Sequence, residues 1–371
     1  MSEAKPWCSI ERALSAAPAR SVVYLRAGTY PRLDLEGAPR KTGLTVRSYP
    51  GERVTVEGAL IGKERNIRLE RLRITRGVVI GPGARNITIR KNRLDPAGIL
   101  IEEGSARVLV RDNYVKNPEG SGVHFSATPG EPPIRHVRIR NNHFDNIGVV
   151  GVNARHFRNL LIDANEFEGI HSWDGVVHPD VIRTYDGGTK LVVRRNFIHD
   201  NAAQGFFIKD GTVHNVLFEN NVIVRMKGAF QAVNIYDVER IKLLNNTILD
   251  TAVFQGEATG VVLKNNIFNV LAVTSDDTTF AYNDHNMAMK DSFGLPQGAH
   301  DVLRTPRFRS QFRLAPGSPG IDAGTSVGAP KRDRLGRRRV DVRGVPNRGT
   351  GPERFFDLGA HEFVPKRNKR G

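Results

Sequence analysis

Apolar and polar residues alternate in short bursts along most of this chain, and the bursts come in copies. Aligned on one asparagine, four read Asn86-Ile-Thr-Ile-Arg-Lys-Asn92, Val108-Leu-Val-Arg-Asp-Asn113, Val137-Arg-Ile-Arg-Asn-Asn142 and Leu160-Leu-Ile-Asp-Ala-Asn165. Four more read Leu191-Val-Val-Arg-Arg-Asn196, Val216-Leu-Phe-Glu-Asn-Asn221, Ile241-Lys-Leu-Leu-Asn-Asn246 and Val261-Val-Leu-Lys-Asn-Asn266. A period of two places successive side chains on opposite faces, so each burst predicts a short strand. The aligned asparagines are 21, 29, 23, 31, 25, 25 and 20 residues apart. Strand-bearing units at that period predict a solenoid, in which each unit covers the apolar face of the next. No unit holds a helical run, which excludes helical repeats. The apolar positions favour Ile, Val and Phe, which argues against leucine-rich repeats.

Asparagine at one fixed turn has two expected reasons. It tolerates the left-handed backbone region, and stacked amides can bond from copy to copy. Both make these residues structural. A stack exposes strand edges and core at its ends and needs caps. Residues 9–17 predict a short capping helix, and the Pro-, Gly- and Arg-rich stretch 300–363 predicts an irregular cap over the other end. The expected organisation is a cap and first strand over 1–30, a solenoid of strands over 31–299, a capping segment over 300–363 and a basic tail over 364–371.

Composition then limits the partners. Of 371 residues, 39% are hydrophobic and 25% charged, which suits a packed core. No apolar run is long enough for a membrane helix. The lone Cys8 excludes a disulfide framework and a multi-cysteine metal site, and is expected to be inert. With 55 Lys and Arg against 39 Asp and Glu, the net charge is +16, which attracts polyanions. The last 41 residues, from Lys331, carry 13 basic and 5 acidic groups. Stacking aromatics interleaved with basic residues are missing, which argues against nucleic acid. No Gly-rich phosphate loop or His-Glu-x-x-His helix appears. Met1–Trp7 has no apolar leader, so the expectation is a cytosolic or phage-borne protein, one exported by another route, or a start inside a longer chain.

The repeats over roughly 60–290 resemble the right-handed parallel β-helix superfamily, which includes pectate lyases, alginate and chondroitin lyases, mannuronan epimerases and phage tail spikes. Pro6-Trp-Cys-Ser-Ile-Glu-Arg-Ala-Leu14, followed by Val22-Val-Tyr-Leu-Arg-Ala-Gly-Thr-Tyr30, resembles the N-terminal cap and first strand of secreted members. Ser318-Pro-Gly-Ile-Asp-Ala-Gly324 and Asp357-Leu-Gly-Ala-His-Glu362 resemble their C-terminal segment. The resemblance implies an all-β, right-handed parallel β-helix of about ten rungs and a carbohydrate-active protein at a cell or phage surface, a monomer or homotrimer.

Two repeats exceed the rest, Asn113 to Asn142 and Asn165 to Asn196, so their extra residues form loops, where function concentrates. The second holds His171, Trp173, Asp174, His178, Asp180, Arg183, Tyr185 and Asp186. Alternation along the strand before each asparagine turn sends His124, Asn153, Arg183, Lys209, Asn234 and Tyr236 outward, and rungs are about 4.8 Å apart, so one continuous polar stripe is expected. These residue types suit β-elimination from a uronate. Arg or Lys neutralises the carboxylate, His or Lys takes the α-proton, and Tyr protonates the leaving oxygen. The expected catalytic set is His178, Arg183, Lys209, His124 and Tyr185, with Asn153, Trp173, Asn234 and Tyr236 as sugar contacts. Asp174, Asp180, Asp186 and Asp210 are candidate Ca²⁺ ligands. His-Pro-Asp at 178–180 is similar to the Asp-Pro-His segments of β-helix epimerases and lyases, with the order reversed. Arg183 and Lys209 are similar to the Arg and Lys of alginate and chondroitin lyases, again in the opposite order. Two other outcomes stay open: a carbohydrate-binding β-helix without turnover, and a β-helix hydrolase or C5-epimerase. His199 and His214 are expected in or beside turns, exposed.

Overall fold

The computed structural model describes residues 6–36, 43–228, 231–289 and 297–365. The chain forms two compact units, 1–161 with 165–188 and 162–164 with 189–371. Both are right-handed parallel β-helix, and the chain makes about 11 turns in all. From residue 366 on, the expected basic tail lies outside the described residues.

In the first unit three parallel sheets rise rung by rung. One stacks Val22–Leu25, Thr45–Ser48, Arg68–Glu70, Arg85–Arg90, Ala106–Arg111 and Ile134–Arg140. A second stacks Arg73–Ile74, Arg93–Leu94, Tyr114–Lys116, His143–Asp145 and Glu166–Glu168. The third stacks Ala59–Ile61, Val78–Ile80, Ile99–Ile101, Ser121–Phe125 and the start of Val150–Asp163. In the second unit Val213–Glu219, Val238–Leu244, Val261–Lys264 and Phe280–Asp284 form one such sheet. Gln204–Ile208, Val233–Ile235 and Thr247–Phe254 form another.

Alternation fills the interior as expected. Ile80, Ile101 and Phe125 are fully buried and stack in register. Phe144 lies flat on Phe167 with ring centroids 4.7 Å apart, and Phe206 on Phe218 at 4.8 Å. Burying each such side chain stabilises the stack by roughly 1.5–3 kcal/mol. The first turn is closed by the helix Ile10–Ala16, whose N-cap Ser9 accepts a hydrogen bond from the Arg12 amide. Its Ile10, Ala13 and Leu14 are buried.

The asparagine column is a continuous amide ladder within each unit. Asn92, Asn113 and Asn142 each donate Nδ2 to Oδ1 of the next copy, at 3.2, 3.0 and 3.0 Å. In the second unit Asn196, Asn221, Asn246 and Asn266 do the same at 3.0 to 3.1 Å, ending on Asn286. Each Oδ1 also accepts a backbone amide from the preceding copy, as Asn142 does from Asn113. One of the two expected reasons fails. The left-handed residue is the one before the ladder asparagine: Lys91, Asp112, Asn141, Ala164, Arg195, Asn220, Asn245 and Asn265 all have φ between 52° and 58°. The ladder asparagine is selected by its buried amide bonds, and the position before it accepts several residue types.

That preceding position explains the doubled asparagines of the later copies. Asn245 donates to the Asp357 carbonyl at 3.0 Å, Asn265 to the Thr325 carbonyl at 2.8 Å and Asn220 to the Arg332 carbonyl at 3.0 Å. The C-terminal segment therefore runs back along the asparagine turns of the second unit. It also covers the last rung, where Met287 packs among Leu314, Ile321, Leu358 and Phe363. The segment thus contacts both the asparagine turns and the Met287 rung.

Candidate functional site

A group of charged and polar side chains in the first unit lies on the third sheet. Gly122 lets the strand Ser121–Phe125 approach its neighbour, since a Cβ there would stand 2.7 Å from the Gly151 carbonyl oxygen. Val123 and Phe125 then point inward, and His124 pairs in register with Asn153 on the outer face. The imidazole Nδ1 lies 3.1 Å from Asn153 Nδ2. Burial, with the Arg155 and Arg183 guanidiniums adding to it, holds His124 below the ordinary histidine value.

The strand Asp180–Arg194 supplies the charges. Asp180 is completely buried and faces the Arg183 guanidinium, Nη1 at 3.1 Å, and the His178 ring, Nδ1 at 3.2 Å. Arg155 Nη2 lies 2.6 Å from the Asp186 carboxylate. Both guanidiniums sit over the Tyr185 ring, Arg155 at 4.6 Å and Arg183 at 5.4 Å from its centroid. Several buried polar atoms here have no protein hydrogen-bond partner: Asn153 Oδ1, Asp180 Oδ1, Arg183 Nε and Thr184 Oγ1. Unsatisfied buried groups are costly, so such a set marks a place prepared for a ligand or water.

The insertion 169–179 is anchored by Trp173. Its amide donates to the Gly148 carbonyl at 3.2 Å, and its indole lies so close to Gly148 that a Cβ there would be 1.9 Å from Cδ1. The indole remains 51% exposed and stacks on His171 with centroids 5.7 Å apart.

The expected continuous polar stripe from His124 to Tyr236 is interrupted. Its first two members, His124 and Asn153, share one column, which continues towards the N-terminus with Leu100 and Val79. In the second unit Asn234 is in register with Phe207 and Val253, both apolar. Asn153 and Asn234 are 4% and 3% exposed, so neither offers an open face to solvent. Of the second-unit candidates, Lys209 is held by Asp210 at 3.1 Å and lies over the Phe207 ring, while the Tyr236 hydroxyl donates to Gln255 Oε1 at 2.7 Å. His199 is buried rather than exposed, with Nδ1 2.7 Å from Asp200. His214 is half-buried against Glu239.

The four aspartates expected to hold a cation are engaged separately. Asp174 accepts from Ser172 and from the Val176 and Val177 amides, which lowers its carboxyl to about 2. Asp180, Asp186 and Asp210 face Arg183, Arg155 and Lys209. Among the described residues the side chains that gather as a metal set would are Asp284, His285 and His300, in the second unit. Sequence reasoning missed that group, and it also missed Arg155. Arg155 was within reach, since alternation from Asn153 sends the second residue on to the same face.

The sequence pattern of the family described as Right handed beta helix region matches residues 76–248 and 132–283. Together these matches span more than half of the chain. The chain belongs to the right-handed β-helix family. No curated protein sequence matches it. Among solved β-helix structures it is similar to the Streptococcus pneumoniae surface protein and adhesin PfbA, at 13% identity, TM-score 0.46, over 80% of this chain and 94% of that one. It is similar to pectate lyase Pel9A at 15% identity, TM-score 0.42, over 95% and 90%. It is also similar to the Azotobacter vinelandii mannuronan C-5 epimerase AlgE4 A-module at 15% identity, TM-score 0.37, over 80% and 94%. At these identities the likeness concerns the β-helix fold alone, and a fold hosts many functions.

Proposed function

We propose that this β-helix protein is an extracellular or surface polysaccharide lyase that cleaves a uronate-bearing chain by β-elimination at the His124–Arg183 cluster. The observation that carries the reading is a half-buried histidine held below its ordinary pKa beside two arginines. Its imidazole is neutral at pH 7 and able to take a proton, while Arg183 and Arg155 supply the charge that acidifies the hydrogen α to a carboxylate. Turning the Asn153 amide about its terminal bond places Oδ1 on Nδ1–H of His124. That satisfies the orphaned oxygen, fixes the tautomer and leaves Nε2 bare as the base. Nε2 takes the α-proton, the electron pair forms the new double bond, and the glycosidic oxygen leaves with a proton from the Tyr185 hydroxyl. Asp180 orients Arg183 and His178. Trp173 offers an exposed face for a sugar ring. In the second unit Lys209 and Tyr236 remain candidate polymer contacts, while Asn234, 3% exposed, is covered. Asp174, Asp180, Asp186 and Asp210 are kept as candidate Ca²⁺ ligands, with no step assigned to the ion.

Ultraviolet absorbance of the unsaturated uronate, followed on alginate, pectate, chondroitin, hyaluronan and heparan with and without Ca²⁺, tests the proposal. A rise on one polymer that disappears in the His124→Ala, Arg183→Ala double variant supports it. Unchanged turnover in that variant overturns the residue assignment. Glycan binding with no product on any polymer leaves binding without turnover, the reading favoured by the ion pairs that already engage Asp180 and Asp186.

A further inference from the structure

The basic excess is concentrated in two stretches. Residues 63–140 hold 16 Lys and Arg against 8 Asp and Glu, a net +8. Residues 331–371 hold 13 against 5, another +8, so the rest of the chain is neutral overall. The second stretch is largely built into the C-terminal segment, where Arg339 is buried against Glu362 and Arg337 chelates Asp333. The first is laid out differently. On the first sheet of the first unit, Arg47, Glu70, Arg90, Arg111 and Arg140 are consecutive partners in one register column. The adjacent outward column holds Arg68, Thr88, Leu109 and Arg138, with both arginines exposed. Glu70, buried between Arg47 and Arg90, is the single acidic residue in the two columns.

We infer that this sheet is a second, non-catalytic binding face for an acidic polysaccharide, separate from the sheet that carries His124. Parallel rungs repeat at about 4.8 Å, so the arginines form a straight rail whose step is of the order of one sugar unit in an extended chain. A guanidinium presents a planar fork that fits carboxylate or sulfate. The one aromatic residue in the two columns is Tyr24, in register with Arg47 at the first rung and under its guanidinium at 5.1 Å, so the repeated stacking platforms that hold single-stranded nucleic acid are absent from Arg47 to Arg140. A polymer held on this rail stays with the protein while its scissile segment is exchanged at another sheet. The inference concerns binding alone, and an inactive protein that retains polymer here satisfies it.

The test is binding of polygalacturonate and of heparin to the full chain across a salt series, for the parent and for the triple variant Arg68→Ser, Arg111→Ser, Arg138→Ser. A control of equal charge change, Arg304→Ser, Arg338→Ser, Arg343→Ser, alters exposed arginines elsewhere. The expected result is a loss of tenfold or more in affinity for at least one polymer. The slope of log affinity against log salt should become shallower by about 2 to 3, from three lost counter-ion contacts. The control should stay within twofold. Equal losses in the two triples, or no loss in the first, overturn the inference. So does double-stranded DNA of matched charge that binds more tightly than both polysaccharides. Turnover of a short oligosaccharide, read separately, should not change in the triple variant, so a dead enzyme and an empty rail are distinguishable.

Discussion

At the scale of single residues, the decisive feature is the protonation of His124. Its outward position follows from alternation, but its neutrality follows from burial and from two guanidiniums contributed by other strands. A base works in its deprotonated form, so activity should fall as pH drops through a value below the ordinary ~6.5 of histidine. Asn153→Asp places a carboxylate on the imidazole and should raise that value, shifting the acid limb of the kcat/KM profile upward by about a unit or more. A profile that stays in place would show that Asn153 does not face the working histidine. His178 was ranked beside His124 on its local motif. Its ring is exposed and faces Asp180, while His124 is half-buried, a distinction that residue type and spacing do not carry.

Among elements, the amide ladder holds the turns. Each ladder asparagine satisfies buried groups in three copies: Asn142 receives the Asn113 amide and side chain and donates to Asn165 and to the Val110 carbonyl. Asn142→Ala removes an acceptor and a donor at a site 2% exposed. With a cost of ~1–3 kcal/mol per unsatisfied buried group, about 3 kcal/mol of stability should be lost. Urea denaturation of the variant checks this. A midpoint within error of the parent would mean that water replaces the amide. The ladder was legible because its spacing recurs. The left-handed residue ahead of it was misassigned to the asparagine, since asparagine suits both positions. The hydrogen-bond geometry separates them.

For the whole molecule, the buried ionisable groups of the C-terminal segment set the pH response. His361 is 2% exposed, and burial lowers it to about 3. Its folded value lies below its unfolded one, so unfolding takes up a proton as the medium is acidified. The stability it supports is present above about pH 6.5 and declines as pH falls towards 3. Glu362 is raised to about 7 by burial, with Asp357 raised alongside it. Their contribution has the opposite sign, full below about pH 4.5 and lost as pH rises through 7. His361→Leu removes the first slope and keeps the second. Its melting temperature relative to the parent should therefore rise steadily from pH 7 to pH 4.5, by several degrees. A difference that does not change with pH would show that His361 is not held neutral.

The sequence by itself determined the strand period, the solenoid and the ladder asparagines. Those properties are local or recur every 20 to 31 residues, so one chain displays them several times over. Only the tertiary structure decided the rest, because it depends on register and reach between distant residues. It paired Arg155 with Asp186 and buried Asp180 under Arg183. It put Phe207 and Val253 beside Asn234, in the column where a polar stripe was expected. It gave the asparagines before the ladder their partners more than a hundred residues on, at Arg332 and Asp357. It also gathered arginines from five strands, 47 to 140, into one rail. Net charge announces such an excess, and the register of parallel rungs gives it a direction.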